Sequence, residues 1–163
     1  MRALIPWLTH VQFGLVLSSP LQRARRTCDL FRLRRQAEIE PDLAEWDYGD
    51  YESKLSSDIR QQRPGWNVFR EGCPRGEMPA QVCERADRLI ARLCMMNENV
   101  ALFSHGQFGL ALAARWIGLP MVEAQHFSID TASIGILGYN SAHPQVRVVT
   151  LWNATPTRFA SSA

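Results

Sequence analysis

Lysine is nearly missing from this chain: Lys54 is the single lysine among 18 Lys and Arg residues. Positive charge therefore resides in guanidinium groups, which suit bidentate contacts to phosphate or carboxylate, although GC-rich coding produces the same bias. Charge of one sign is not in excess either. The 18 basic residues face 16 acidic ones, for a net charge of +2, which argues against a dedicated nucleic-acid binder. No apolar run reaches the roughly 18 residues of a membrane span. The longest candidate, from Val100 to Pro120, contains His105 and Arg115. The N-terminal twenty residues are interrupted by Pro6, Thr9, His10 and Gln12, so they do not read as a signal peptide. Cys28, Cys73, Cys83 and Cys94 include no Cys-x-x-Cys pair, which excludes a zinc knuckle or a thioredoxin-type motif. Thiols in a reducing cytoplasm are the simplest expectation. With 163 residues and 46% hydrophobic content, disorder is excluded and one domain is expected.

Apolar patterning places the elements. Phe13 to Leu17 is a continuous apolar run and reads as a buried strand. Ser19 before Pro20 is a helix-start signal, with serine capping and proline in the first helical position; the helix runs from Pro20 to Phe31. Residues 36–52 are acidic and aromatic without a clear period. Residues 61–80 hold Pro64, Gly65, Gly72, Pro74, Gly76 and Pro79 and read as a long loop covering a site. Residues 80–96 form the clearest helix, with Val82, Ala86, Leu89, Ile90 and Leu93 on one face and a Glu84–Arg88 pair on another. Val100 to Phe103 is a second strand, followed by a helix through Trp116 that Gly118-Leu119-Pro120 ends. Ser133 to Tyr139 and Val146 to Trp152 are the last two strands. Residues 2–9 read as the end of a helix. This alternation predicts an α/β sandwich with a mostly parallel sheet, one domain over residues 1–153 and a flexible tail over 154–163.

Two segments share one design. Leu15 to Ser18 leads to Ser19 and Arg23, and Ala101 to Ser104 leads to His105-Gly106. Each ends a strand and opens a helix, the edge at which open α/β sheets bind ligands. Helix N-termini offer N–H groups to an anion, and Arg23 and His105 would complete a phosphate site. Imidazole can also act as base or nucleophile, and Gly106 permits close backbone approach. The plainer alternatives are a solvated Arg23 beside Arg25 and Arg26, and a structural His105 in a turn. Glu45, next to Trp46 and near Tyr48, could be a general acid, or simply one acidic residue of a segment that has seven. Trp46, Tyr48 and Tyr51 suit a substrate pocket or the core equally. His10, His126 and His143 show no metal-ligand spacing, so no metal is expected, and Trp116 and Trp152 read as core.

These residues resemble a known family. Ser19-Pro20-Leu21-Gln22-Arg23-Ala24-Arg25-Arg26-Thr27 looks like the S-x-L-x-R-A-x-x-T motif of the histidine phosphatase superfamily, which includes the phosphoglycerate-mutase-like enzymes. Leu43 to Glu52 resembles the segment with its acid/base glutamate. Gly72-Cys73-Pro74-Arg75-Gly76-Glu77 resembles a stretch of a sugar-phosphatase-like branch, and Ser104-His105-Gly106 the second catalytic histidine motif. The four motifs come in family order, and similarity runs from about Phe13 to Trp152. The resemblance implies a three-layer α/β/α sandwich and no metal or other cofactor. It implies that Arg23 clamps the transferred phosphoryl group, that His105 stabilises its developing charge, and that Glu45 gives a proton to the leaving oxygen. Gly106, Trp46 and Tyr48 would line the substrate site. The partner would be a small phosphorylated molecule, with neither nucleic acid nor membrane, in the cytoplasm.

One departure is large. The family reaction begins at an Arg-His-Gly motif on the first strand, whose histidine becomes a phosphohistidine, and no such tripeptide occurs in these 163 residues. His10 precedes the strand that leads to Ser18 and is no substitute. The resemblance thus implies a chain that begins inside the family's first helix, with the first strand missing and the phosphohistidine route closed to the chain by itself. Smaller departures are Ser53 and Met78, and a Gln107-Phe108-Gly109-Leu110 stretch without the arginine common in the matching helix turn. Glu45 and Glu77 stand 32 positions apart, a compact interval that favours hydrolysis over mutase chemistry. The expectation is a phosphomonoester hydrolase whose nucleophile lies outside the chain. The alternative is an inactive relative that binds a phosphorylated ligand or a protein partner.

Overall fold

The computed structural model describes Leu8 and residues 10–155. The reading of residues 2–9 as a helix end thus lies almost wholly outside the described residues, as does that of a tail over 154–163 apart from Ala154 and Thr155. Leu15–Ser18 (β1) pairs in parallel with Ala37–Ile39 (β2) on one side and with Val100–Phe103 (β3) on the other. Side chains alternate across a strand, and this sheet uses both faces. Leu17 and the partly buried Leu15, Val100 and Leu102 face one core, while Val16, Ala101 and Phe103 face another. The second core is closed by Ala24 and Cys28 of the helix Gln22–Leu30 (α1). The first is closed by the helices Pro79–Cys94 (α4) and Gly106–Trp116 (α5), whose buried stripes include Val82, Ala86, Leu89, Phe108, Ala111 and Leu112. This is the expected α/β layering, helix on sheet on helices.

The described strands do not make one sheet. Ile134–Tyr139 (β4) and Arg147–Ala154 (β5) form a separate antiparallel pair. The indole of Trp116 pins this pair to α5, because Nε1 donates to the carbonyls of Gly138 (3.2 Å) and Val148 (3.1 Å). Ala154 is the last residue of β5 and is buried, so the strand continues past the expected domain limit at residue 153.

Local differences from the sequence reading have local causes. Helix α1 begins at Gln22, not Pro20: Leu21 is still extended, and the Ser19 hydroxyl accepts the Leu21 N–H at 3.2 Å. Serine thus makes a turn ahead of the helix instead of capping it. The strand β2 has no alternating pattern in its three residues and exists through its pairing with β1. The supposed cover loop is part of the body. Ser56–Gln62 (α2) and Val68–Glu71 (α3) flank Trp66, and Trp66, Val68 and Phe69 are buried in the main core. Arg88 still feels the charge of Glu84 but makes its ion pair across the fold with Asp42, at 2.8 Å.

Candidate active site

The site is built where two parallel strands end side by side. Ser18 of β1 lies in register with Phe103 of β3, and the Ser19 N–H donates to the Phe103 carbonyl at 2.9 Å. The chain continues from one strand into α1 and from the other into α5. Arg23, on the first turn of α1, therefore reaches His105, the residue that precedes α5. Arg23 Nε donates to His105 Nδ1 at 2.9 Å, and His105 Nε2 lies 2.7 Å from Ser19 Oγ. A guanidinium N–H can only donate, so Nδ1 is the bare nitrogen and the imidazole proton sits on Nε2, directed at Ser19. Burial, then the charges of Arg23 and Arg85, pull the His105 pKa down to about 4. His105 is accordingly neutral at neutral pH.

A third segment is tied to the same edge. Ser104 Oγ donates to the Leu43 carbonyl at 2.8 Å, which brings the turn Pro41–Leu43 and the residues after it to the start of α5. There Glu45 meets the helix N-terminus. Its Oε1 accepts the N–H groups of Trp46 (3.0 Å) and Phe108 (2.9 Å), and its Oε2 accepts that of Gln107 at 3.3 Å. Amides that a helix start leaves without intrahelical partners thus hold the carboxyl group. Oε1 is anchored twice and Oε2 once, weakly. Gly106 lies beside that oxygen: a Cβ added there would stand 4.0 Å from Oε2, an ordinary contact.

The other expected site residues divide. Tyr48 is half-buried, and its phenol is raised by burial and then by the nearby Glu45 carboxylate, so it stays protonated. Trp46 is not on the wall of the site. It is 1% exposed, packs edge-on against Phe69 at 5.6 Å and donates its indole N–H to the Glu77 carbonyl at 3.0 Å. The core reading is the right one for this side chain, because an indole with its N–H satisfied internally gains by full burial. Among the remaining histidines, His126 is exposed beside Glu123 and His143 lies in the β4–β5 turn. Among the described residues no group of three or more His, Cys, Asp or Glu side chains could hold a metal, and no helix is long and apolar enough to cross a membrane.

Two contributors were not anticipated in these roles. Ser19 was read as a helix cap, and its hydroxyl also accepts a hydrogen bond from His105 Nε2. Arg85 is 6% exposed and forks onto Glu77 at 2.7 and 2.9 Å while donating to the Asp42 and Ala44 carbonyls. The signal for Arg85 was the spacing Arg85, Arg88, Arg92 on α4, one helical face turned toward the acidic segment.

An arginine, a histidine and a hydrogen-bonded carboxyl group gathered at the ends of parallel strands are the parts of an anion site in an α/β protein. The profile of the histidine phosphatase superfamily (branch 1) matches residues 1–153, and the chain belongs to that family. It is 41% identical over 139 residues to an acid phosphatase of Mycobacterium tuberculosis, covering 84% of this chain and 68% of that protein. It is 32% identical over 152 residues to the adenosylcobalamin/alpha-ribazole phosphatase of Escherichia coli, covering 87% of this chain and 75% of that one. The crystal structure of a Mycobacterium tuberculosis open reading frame superimposes with a TM-score of 0.86 at 37% identity, over 94% of this chain and 80% of that one.

Proposed function

We propose that this chain is the larger part of a phosphomonoester hydrolase that acts on a small phosphate, with a sugar phosphate favoured, through a phosphohistidine. The observation that carries the reading is the joining of Arg23, His105 and Ser19 at one sheet edge beside a carboxyl group held by α5. Arg23 clamps the phosphoryl oxygens, and His105 exchanges its bonds to Arg23 and Ser19 for the same oxygens. Glu45 Oε2, the loosely held oxygen, carries the proton to the leaving oxygen as the P–O bond breaks. The phosphoryl group passes to a histidine outside these 163 residues, and water later takes it, returning a proton to Glu45. Support for the sugar class is the resemblance of the Gly72–Glu77 stretch to a sugar-phosphatase-like branch; this stretch adjoins the Glu45 loop through Glu77 N–H to the Asp47 carbonyl (2.8 Å) and Asp50 N–H to the Pro74 carbonyl (2.9 Å).

Titration calorimetry with phosphate and orthovanadate tests the anion site. Binding that Arg23→Ala and His105→Ala each weaken about tenfold or more is the expected result, and binding indifferent to both defeats the reading. Turnover of p-nitrophenyl phosphate is then compared between the 163-residue chain and one extended upstream. Hydrolysis only in the extended chain is expected. The absence of an Arg-His-Gly tripeptide favours one second reading, a ligand-binding relative without chemistry. That reading predicts binding with no turnover in either form.

A further inference from the structure

The segment that delivers Glu45 has little regular structure of its own, and one face of α4 holds it along its length. Arg92 binds Glu40 at 2.5 Å and Glu38 at 3.1 Å, and Arg88 binds both oxygens of Asp42 at 2.8 and 3.2 Å. Arg85 is different in kind. Its partners in the segment are main-chain carbonyls, those of Asp42 (2.8 Å), Ala44 (2.9 Å) and, at 3.4 Å, Glu45 itself. Its remaining donors fork onto the Glu77 carboxylate. Glu77 grips the chain on the far side of Glu45: Oε2 accepts the Asp47 N–H at 2.9 Å, and its carbonyl accepts the Trp46 indole. The same guanidinium carbon lies 4.1 Å from the centroid of the Phe108 ring, and Phe108 is the residue whose N–H binds Glu45 Oε1.

We infer that Arg85, locked by Glu77, is a positioning residue for Glu45: one guanidinium touches both the backbone that carries the carboxyl group and the ring of the residue that binds it. The inference rests on the reading of Glu45 as the proton donor. Arg85 and Glu77 touch no reacting atom and act through Glu45. The site is closed to a simple charge replacement, because an ammonium group is a point donor and cannot serve two carboxylate oxygens and three carbonyls at once. Arg88, the control, holds the same segment through an exposed ion pair, whose contribution is small. Removing Arg85 therefore loosens Glu45, whereas removing Arg88 does not. Arg23, Ser19 and His105 are tied to one another by their own hydrogen bonds, and the charge of Arg85, which Arg85→Lys keeps, reaches His105 only through space.

The test uses Arg85→Lys and Glu77→Gln in the extended chain of the hydrolase test, with Arg88→Met as control and a thermal transition to establish folding. Hydrogen exchange of the Trp46 and Phe108 amides, the donors to Glu45 Oε1, is the first readout. Both should exchange roughly tenfold faster or more in the two variants and stay as they are in Arg88→Met. Inorganic phosphate should bind all forms alike. Turnover should fall roughly tenfold to a hundredfold in kcat with KM unchanged, as expected for misplacement of a single proton donor. Unaltered protection of Trp46 and Phe108 in folded Arg85→Lys and Glu77→Gln overturns the inference. So does an equal change in Arg88→Met, which would reduce Arg85 to general stabilisation. If Arg85→Lys does not fold, Glu77→Gln, which keeps size and shape, decides alone. Normal amide behaviour of the variants in a protein with no turnover at all would defeat both readings. Loosened amides in a protein with no turnover would defeat the hydrolase reading and leave the positioning role standing.

Discussion

His105 is half-buried and accepts a hydrogen bond from the Arg23 guanidinium at 2.9 Å. Protonating Nδ1 would set two positive groups 2.9 Å apart, so burial and Arg23 together keep the ring neutral. Arg23→Ala should raise the His105 titration toward its ordinary value, an upward shift that NMR of the ring protons would follow. The same variant should weaken phosphate binding by about tenfold to a hundredfold, the worth of one or two charge-assisted hydrogen bonds. Glu45→Gln has a different expected signature. It keeps the carboxyl group's shape and most of its amide contacts but cannot supply a proton, so phosphate affinity should hold while kcat falls about 10²- to 10⁴-fold in a turning-over form of the protein. Cys73 is buried, and burial followed by the carboxylates Asp47, Glu52 and Glu77 pushes its thiol up to about 11. Exposed Cys94 should therefore react with iodoacetamide at pH 8 well before Cys73, as peptide mass mapping would record.

At the scale of elements, the site depends on two loops that approach backbone to backbone. A Cβ on Gly76 would overlap the Asp47 carbonyl and the Gly49 amide, neither of which can swing aside as a side chain can. Gly76→Ala should cost about 1–3 kcal/mol, the range for forced overpacking, measured as a lower denaturation midpoint. It should also disturb the Glu45 loop, which the Glu77 N–H to Asp47 carbonyl bond ties to this point. The motif around Gly72–Glu77 was legible in the sequence as a string of turn residues. Its task, clamping the loop that holds Glu45, was not, because a turn signal says where a chain bends and not what it bends against. The reading of residues 61–80 as a loose cover failed for a related reason. Gly and Pro mark breaks at either end, but Trp66, Val68 and Phe69 between them supply enough apolar surface to join the core.

For the whole molecule, the neutral His105 makes stability depend on pH. Its folded pKa, about 4, lies below the unfolded value of about 6.5, so between these limits the unfolded chain binds a proton that the folded one refuses. This contribution is complete above about pH 6.5 and is lost as the pH falls toward 4. The thermal midpoint should drop over that window, and the drop should be shallower in His105→Gln, the difference between the two isolating this one group. Inorganic phosphate should counter the loss by binding the folded state alone.

Much of this protein is written locally. Apolar runs from Phe13 to Leu17 and from Val100 to Phe103, the amphipathic stripe within residues 80–96 and the turn residues between them point to an α/β chain, because burial of those faces admits few other arrangements. The strand-to-helix junctions likewise mark Arg23 and His105 in advance, since free amides and a ligand-facing sheet edge follow from the order of elements alone. Tertiary structure decides what no window of residues contains. It sets Ser18 beside Phe103 and so brings Arg23 within 2.9 Å of a histidine 82 positions away. It buries Trp46 and leaves its neighbour Glu45 at the helix start. It also pairs Arg88 with Asp42 across the fold and sends Arg85 into the core. Each of these outcomes depends on a partner distant in sequence, and a side chain's polarity fixes only that it must find one.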